Sequence, residues 1–189
     1  GLIYKELGEY NKALNCLKKA IEINPEYPEA LNNLGFIYKE INEKEKAKNL
    51  FLKAIEINPN YLEPYNNIGI LFNENGEFEN AKNYFNKSIE INSKHLPAYI
   101  NLGNLYMRLN EIEKSEKYYK DAININPKYF DAYNNLMNLY ERTNQEENLK
   151  KLISKCEMQF KNNYIISLFK GKYYYKTKNF LEAINNLEN

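Results

Sequence analysis

The sequence predicts an all-α protein built from antiparallel pairs of helices, and three observations support this. The chain repeats itself every 34 residues, so that Pro25, Pro59 and Pro127 each follow an Ile-Asn pair in one register. Each period contains two apolar stripes with helical spacing, and no stretch alternates between apolar and polar residues. Glycine or asparagine stands between the two stripes, where a turn between helices needs a left-handed residue. The repeats therefore predict an array of helix pairs.

The two stripes of one period mark a first and a second helix. In the third unit, Tyr65, Ile68 and Phe72 share one face of the first helix, and Phe78 and Phe85 share one face of the second. The turn between them recurs in five of the six units, at Gly8, Asn42, Asn75-Gly76, Asn110 and Asn144. Another column contains the small residues that allow two helices to approach closely, with Met137 as the exception: Gly1, Gly35, Gly69, Gly103 and Gly171.

These motifs resemble the tetratricopeptide repeat, whose signature combines aromatic-x2-Leu-Gly-x2-Tyr, Ala-x3-Phe and a closing proline. The residues that match this signature are Tyr99, Leu102, Gly103, Tyr106, Ala47, Phe51 and Pro59. The resemblance implies a right-handed superhelical solenoid of antiparallel helix pairs. It also implies that the first helix of each pair lines a concave groove. The resemblance covers the whole chain and is far more specific for fold than for function.

We expect a single array over residues 1–189, with the repeats in a constant register. Its units are a partial repeat at 1–27, full repeats at 28–61, 62–95, 96–129 and 130–163, and a truncated repeat at 164–189. The unit at 130–163 departs most from the pattern, with Met137, Leu149 and Cys156 in place of small residues. For this reason we expect its second helix, around residues 146–160, to be shifted or longer.

The composition favours a protein-binding role over catalysis. The 26 basic and 25 acidic residues give a net charge of +1, which offers no electrostatic reason for nucleic acid binding. No apolar run is long enough for membrane insertion, and two cysteines suit a reducing, cytoplasmic location. We expect an exposed turn position for His95, a buried inert thiol for Cys156, and neither an active site nor a metal or other cofactor.

One asparagine column is the best candidate for a binding site. It contains one residue from each of four consecutive units: Asn33, Asn67, Asn101 and Asn135. An asparagine amide donates and accepts hydrogen bonds, so it can bind the backbone of an extended peptide. We assign to the same groove a second set of residues, Asn104, Asn138, Arg108 and Arg142. The column resembles the inner face of the arrays in O-linked N-acetylglucosamine transferases, where such asparagines hold substrate peptides.

Several alternatives remain open at this point. Asparagine makes up 33 of the 189 residues, so the column also fits plain repeat residues without a ligand. Lys172 and Lys176, together with the two arginines, suggest a local anion site. We expect the array to be a scaffold that binds proteins or peptides. One alternative is the substrate-recruiting arm of a larger glycosyltransferase or sulfotransferase. Another is a structural subunit of a large assembly. Apolar end faces would also allow end-to-end self-association.

Overall fold

The computed structural model describes residues 9–161 and 163–179. Over these residues it contains ten α-helices and no strand, which confirms the predicted all-α fold. The helices are α1 Tyr10–Ile23, α2 Pro28–Glu40, α3 Lys44–Ile57, α4 Leu62–Glu74, α5 Phe78–Ile91, α6 Leu96–Arg108, α7 Ile112–Ile125, α8 Phe130–Arg142, α9 Glu146–Gln159 and α10 Tyr164–Lys176. The chain divides into two compact units, Gly1–Asn101 and Leu102–Asn189. The single array over residues 1–189 stays a prediction.

Helix lengths repeat as regularly as the sequence does. The first helices α2, α4, α6, α8 and α10 have 13 residues each. The second helices α1, α3, α5, α7 and α9 have 14. The expectation of a longer or shifted α9 was wrong, because Asn144 and Gln145 start it in the same register as the other second helices. The unusual residues of this repeat change its packing instead.

Within a repeat, the two helices meet where a glycine of the first faces an aromatic ring of the second. A Cβ atom on Gly35 would lie 2.7 Å from the Phe51 ring, too close for an ordinary contact. Gly69 faces Phe85, and Gly103 faces Tyr119, in the same way. The three rings are almost completely buried, and so are the small residues next to them, Ala47, Ala54, Ala81, Ser88, Ser115 and Ala122. Close approach of the helices therefore depends on these glycines.

The turn inside each repeat closes through a left-handed residue, as the sequence predicts. Asn42, Asn110 and Asn144 have φ angles of 64°, 60° and 56°, and Gly76 has a φ of 81°. Asparagine tolerates this conformation better than other residues with a Cβ atom. Lys178 occupies the next slot of the same column, with a φ of 61°, although lysine is not a residue type that marks such a turn in a sequence. Gly8, the first member, lies outside the described residues.

A second asparagine column shapes the turns between repeats. Asn24, Asn58, Asn92 and Asn126 end the second helices in an extended conformation. Each accepts a hydrogen bond on its side-chain oxygen from the backbone N–H two residues later. This Asx turn fixes the chain direction before the next first helix begins. Part of the asparagine excess therefore has a structural cause.

No helix in the described part of the chain is long and apolar enough to cross a membrane.

Candidate functional site

The candidate column lies at one fixed place on the first helices. Asn33, Asn67, Asn101 and Asn135 are each the sixth residue of their helix, in α2, α4, α6 and α8. Asn33 is buried, with 8% of its surface exposed, and the other three are partly exposed. The same helical position in successive repeats therefore presents the same amide group.

Two of these amides bind the preceding repeat. The Asn67 amide donates to the side-chain oxygen of Asn32 at 2.8 Å. The Asn101 amide donates in the same way to Asn66, at 2.7 Å. Asn32 is buried, and its own amide lies 3.4 Å from the Tyr61 hydroxyl. Each bond joins residues 35 positions apart, which is one repeat plus one residue. The amides of Asn67 and Asn101 are therefore held in one orientation by the adjacent repeat.

The other two amides turn back on their own helices. Asn33 donates to the backbone oxygen of Glu29 at 2.7 Å, and Asn135 donates to that of Asp131, also at 2.7 Å. The residue 35 positions before Asn135 is Ile100, whose side chain has no acceptor. Asn67 and Asn101 are thus linked to the preceding repeat, whereas Asn33 and Asn135 each make a bond within their own helix.

The four residues of the second predicted groove set make different kinds of contact. The side-chain oxygen of Asn104 accepts a hydrogen bond from the Tyr119 hydroxyl at 2.6 Å, so it satisfies a buried polar group. Asn138 donates to the backbone oxygen of Asn134 at 2.9 Å. Arg108 and Arg142 are both exposed, and a guanidinium nitrogen of Arg142 lies 3.9 Å from the Met107 sulfur.

Neighbouring acidic residues weaken the case for the anion site that the sequence suggested. Lys172 lies 3.4 Å from the Glu141 carboxylate, and Lys176 lies 3.1 Å from that of Glu146. Lys176 also donates to Asn144 at 2.6 Å. Both lysines therefore already contact acidic side chains within their own part of the fold, and an anion would have to compete with these carboxylates.

The described residues contain no group of three or more His, Cys, Asp or Glu side chains that could hold a metal ion. Both cysteines are free, Cys16 on the surface and Cys156 in the core. The burial expected for Cys156 is confirmed, and it raises the pKa of this thiol to about 12, which disfavours the ionised form that reacts.

His95 is not the exposed turn residue that the sequence suggested. It is half-buried, and its Nδ1 atom lies 2.5 Å from the hydroxyl of the fully buried Ser88. Burial lowers the pKa of His95 below its usual 6.5, while the Glu63 carboxylate acts in the opposite direction. Tyrosine occupies the equivalent position in other repeats, at Tyr27, Tyr61 and Tyr129.

The His95 environment predicts a pH dependence of stability. Because burial disfavours the protonated form of His95 in the folded protein, the unfolded chain binds this proton first as the pH falls through about 6.5. The free energy of unfolding is expected to decrease as the pH falls below about 7, by less than about 1.4 kcal/mol per pH unit because one proton is involved. It should level off once the pH is below the pKa of His95 in the folded protein. Urea unfolding at several pH values measures this. The His95→Gln variant has no imidazole to protonate, so its stability should depend less on pH between about 5 and 7. A profile identical to that of the unaltered protein would show that His95 is not the cause.

Antiparallel helix pairs of constant length, repeated every 34 residues, define a helical repeat protein. Three tetratricopeptide repeat models match the chain, one over residues 1–42, one over 28–61 and 97–129, and one over 50–83. Together they cover more than half of the sequence. The chain belongs to the tetratricopeptide repeat family.

Solved structures share this fold. PilW, a type IV pilus biogenesis factor, matches with a TM-score of 0.80 and 19% identity, over 98% of this chain and 86% of its own. PilF of Pseudomonas aeruginosa matches with a TM-score of 0.79 and 17% identity, over 98% and 85%. YrrB, described as a repeat protein with an unusual peptide-binding site, matches with a TM-score of 0.60 and 19% identity, over 91% and 89%. No curated protein matches significantly. The resemblance to the transferase arrays stays a prediction.

Proposed function

We propose that this protein is a non-catalytic scaffold that binds an extended segment of a partner protein along its first helices. The observation that carries the proposal is the pair of asparagines oriented by the preceding repeat, Asn67 by Asn32 and Asn101 by Asn66. An asparagine amide has two N–H donors and one acceptor oxygen. The bond between repeats uses one donor, which leaves the second N–H and the oxygen of each amide for a ligand backbone.

Spacing supports an extended ligand. Helices packed side by side advance by about 10 Å, and an extended chain advances by about 3.3 Å per residue. Equivalent amides would then meet about every third ligand residue. Because amide groups bind the ligand backbone, the contact would depend little on ligand sequence. The near-zero net charge favours such a partner over nucleic acid, and YrrB is an example of peptide binding on the same fold.

The proposal predicts that Asn67→Ala combined with Asn101→Ala weakens peptide binding about tenfold or more, because two hydrogen bonds of about 1 kcal/mol each are lost. A displayed library of random 12-residue peptides supplies the ligand, and fluorescence anisotropy measures its affinity for each variant. The same protein samples are unfolded in urea. A modest loss of stability is expected, because Asn32 loses its donor when Asn67 is removed.

A matched control is available on a second helix. Asn80 and Asn83 are exposed on α5, and Asn80→Ala combined with Asn83→Ala removes the same chemical groups from another face. This control should bind the peptide as tightly as the unaltered protein. Equal affinity for the Asn67/Asn101 variant, or failure of the library to yield any binder, would overturn the proposal. Methylation of ligand backbone nitrogens should weaken binding more than alanine substitution of its side chains.

A further inference from the structure

A surface cavity of about 310 Å³ lies among α7, α8 and α9, and none of its lining residues belongs to the asparagine column. Seven of its nine lining residues belong to the second helices α7 and α9, whereas the asparagine column lies on first helices. The floor is apolar and almost fully buried, formed by Ile123, Leu136 and Leu152, with Tyr140 beside them. The volume reaches the lower end of the range for ligand pockets, about 300–1,000 Å³.

The cavity has a cause that can be read from the repeats. In the third repeat the Tyr84 ring stacks on Phe72, with 5.5 Å between ring centroids. In the next repeat Tyr118 stacks on Tyr106 at 5.4 Å, with only 10° between the ring planes. The residues at the same two positions of the following repeat are Leu152 and Tyr140, and both line the cavity. Tyr140 therefore lacks the tyrosine that covers Phe72 and Tyr106, a difference it shares in sequence with Tyr38 and Leu50 of the second repeat, and the space is suited to an aromatic group.

The rim of this cavity is cationic. Lys120, Lys151 and Lys155 line it, all three exposed, and none of its nine lining residues is acidic. Nearby carboxylates contact two of the lysines, Glu116 with Lys120 at 2.6 Å and Glu147 with Lys151 at 3.5 Å. The Lys151–Glu147 pair is exposed and weak, whereas Glu116 is only 21% exposed and also accepts a hydrogen bond from the Tyr140 hydroxyl at 2.7 Å. Asn124 and Asn148 add exposed side-chain amides to the rim.

We propose that this cavity is a second docking site, for a segment of a partner protein that carries an aromatic side chain between acidic residues. The aromatic ring would stack on Tyr140 in the place that Tyr84 and Tyr118 occupy in their own repeats. The flanking carboxylates would bind the three lysines of the rim, in charge-assisted hydrogen bonds. Because the rim lysines lie on two helices, carboxylates on both sides of the ring fit better than a single acidic group. This site is independent of the asparagine column.

Refilling the cavity tests this proposal. The probe is a fluorescein-labelled peptide with one phenylalanine between acidic residues, DDEFEDD, and its binding is measured by anisotropy. Leu152→Tyr restores the residue type found at positions 84 and 118, so it should keep or raise the melting temperature while lowering the affinity at least tenfold. A peptide with alanine in place of phenylalanine should also bind at least tenfold more weakly. Lys151→Gln combined with Lys155→Gln should reduce both the affinity and its salt dependence.

The second repeat provides a matched control. Leu50 occupies the position of Leu152. Asn49, Glu22 and Lys46 occupy those of Lys151, Asn124 and Asn148, so this surface has the same number of lysines, one of them moved, and a glutamate that the cavity lacks. Leu50→Tyr should leave binding of the probe unchanged, and so should the Asn67/Asn101 variant. The proposal is overturned if Leu152→Tyr binds the probe normally, if the alanine peptide binds equally well, or if free 4-hydroxyphenylacetate binds as tightly as the peptide.

Discussion

Gly69→Met is expected to lower the free energy of unfolding by about 3 kcal/mol. A Cβ atom at Gly69 would overlap the Phe85 ring, which is 1% exposed. Overpacking of a close-packed core costs about 1–3 kcal/mol and occasionally more. The higher helix propensity of methionine returns less than about 1 kcal/mol. Urea unfolding followed by circular dichroism measures the difference.

The protein contains its own solution to this clash. In the repeat at 130–163, Met137 takes the glycine position and Ile153 takes the position of the facing ring, and both are buried. A larger residue on the first helix is thus matched by a smaller one on the second. Adding Phe85→Ile to Gly69→Met should therefore recover at least about 1 kcal/mol relative to the sum of the two single changes.

Gly76 provides the control for this pair. It has a φ of 81°, and a Cβ atom there would meet no other atom within 4 Å. Gly76→Ala should therefore cost about 1 kcal/mol through backbone strain alone. Phe85→Ile should give no relief of this strain. If Gly69→Met and Phe85→Ile are additive, the helices have adjusted in another way and the pairing argument fails.

The periodic columns made the fold predictable from the sequence. The 34-residue spacing of the turn residues predicted paired helices, and the left-handed conformations of Asn42, Asn110 and Asn144 confirm the reason given for those turns. The expectation for α9 is wrong because unusual core residues do not by themselves alter the bounds of a helix. Met137 is larger than the usual glycine and Ile153 is smaller than the usual aromatic residue at the facing position. The two differences compensate inside the core, so the turns stay unchanged.

The partners of the asparagines could not be predicted from their column alone. Whether an amide binds a ligand, its own helix or the adjacent repeat depends on which side chain lies beside it after packing. The sequence does contain one indication of these bonds, the Asn-Asn pairs Asn32-Asn33 and Asn66-Asn67. The first asparagine of each pair lies 35 residues before the column member that donates to it. The change from Tyr84 and Tyr118 to Leu152 was equally readable, but its consequence, a cavity, required the structure.

The second large effect is expected at Asn104, which the sequence assigned to the groove. Asn104→Ile should lower the free energy of unfolding by about 2 kcal/mol, because the Tyr119 hydroxyl would lose its acceptor inside the core. Tyr119 is 0% exposed, so water cannot replace the lost bond, and the buried Ser115 hydroxyl, which also interacts with Tyr119, is the alternative acceptor. Thermal and urea unfolding of the variant measure the loss.

The neighbouring repeat shows how this loss can be reversed. Ile70 and Phe85 occupy the positions of Asn104 and Tyr119, so that repeat has neither the amide nor the hydroxyl. Asn104→Ile combined with Tyr119→Phe copies that pair and should be within about 1 kcal/mol of the unaltered protein, since both polar partners are removed together. The cycle should then give a coupling energy of about 1–2 kcal/mol between the two residues.

Asn138→Ile is the matched control, with the same substitution in the same column of the next repeat. The Asn138 amide binds a backbone oxygen of its own helix, so its removal leaves no buried hydroxyl without a partner and should cost less than about 1 kcal/mol. If the Asn104/Tyr119 double variant also keeps full affinity for the library peptide, Asn104 serves the core and not the ligand. A double variant as unstable as Asn104→Ile alone would show that the hydroxyl does not depend on Asn104.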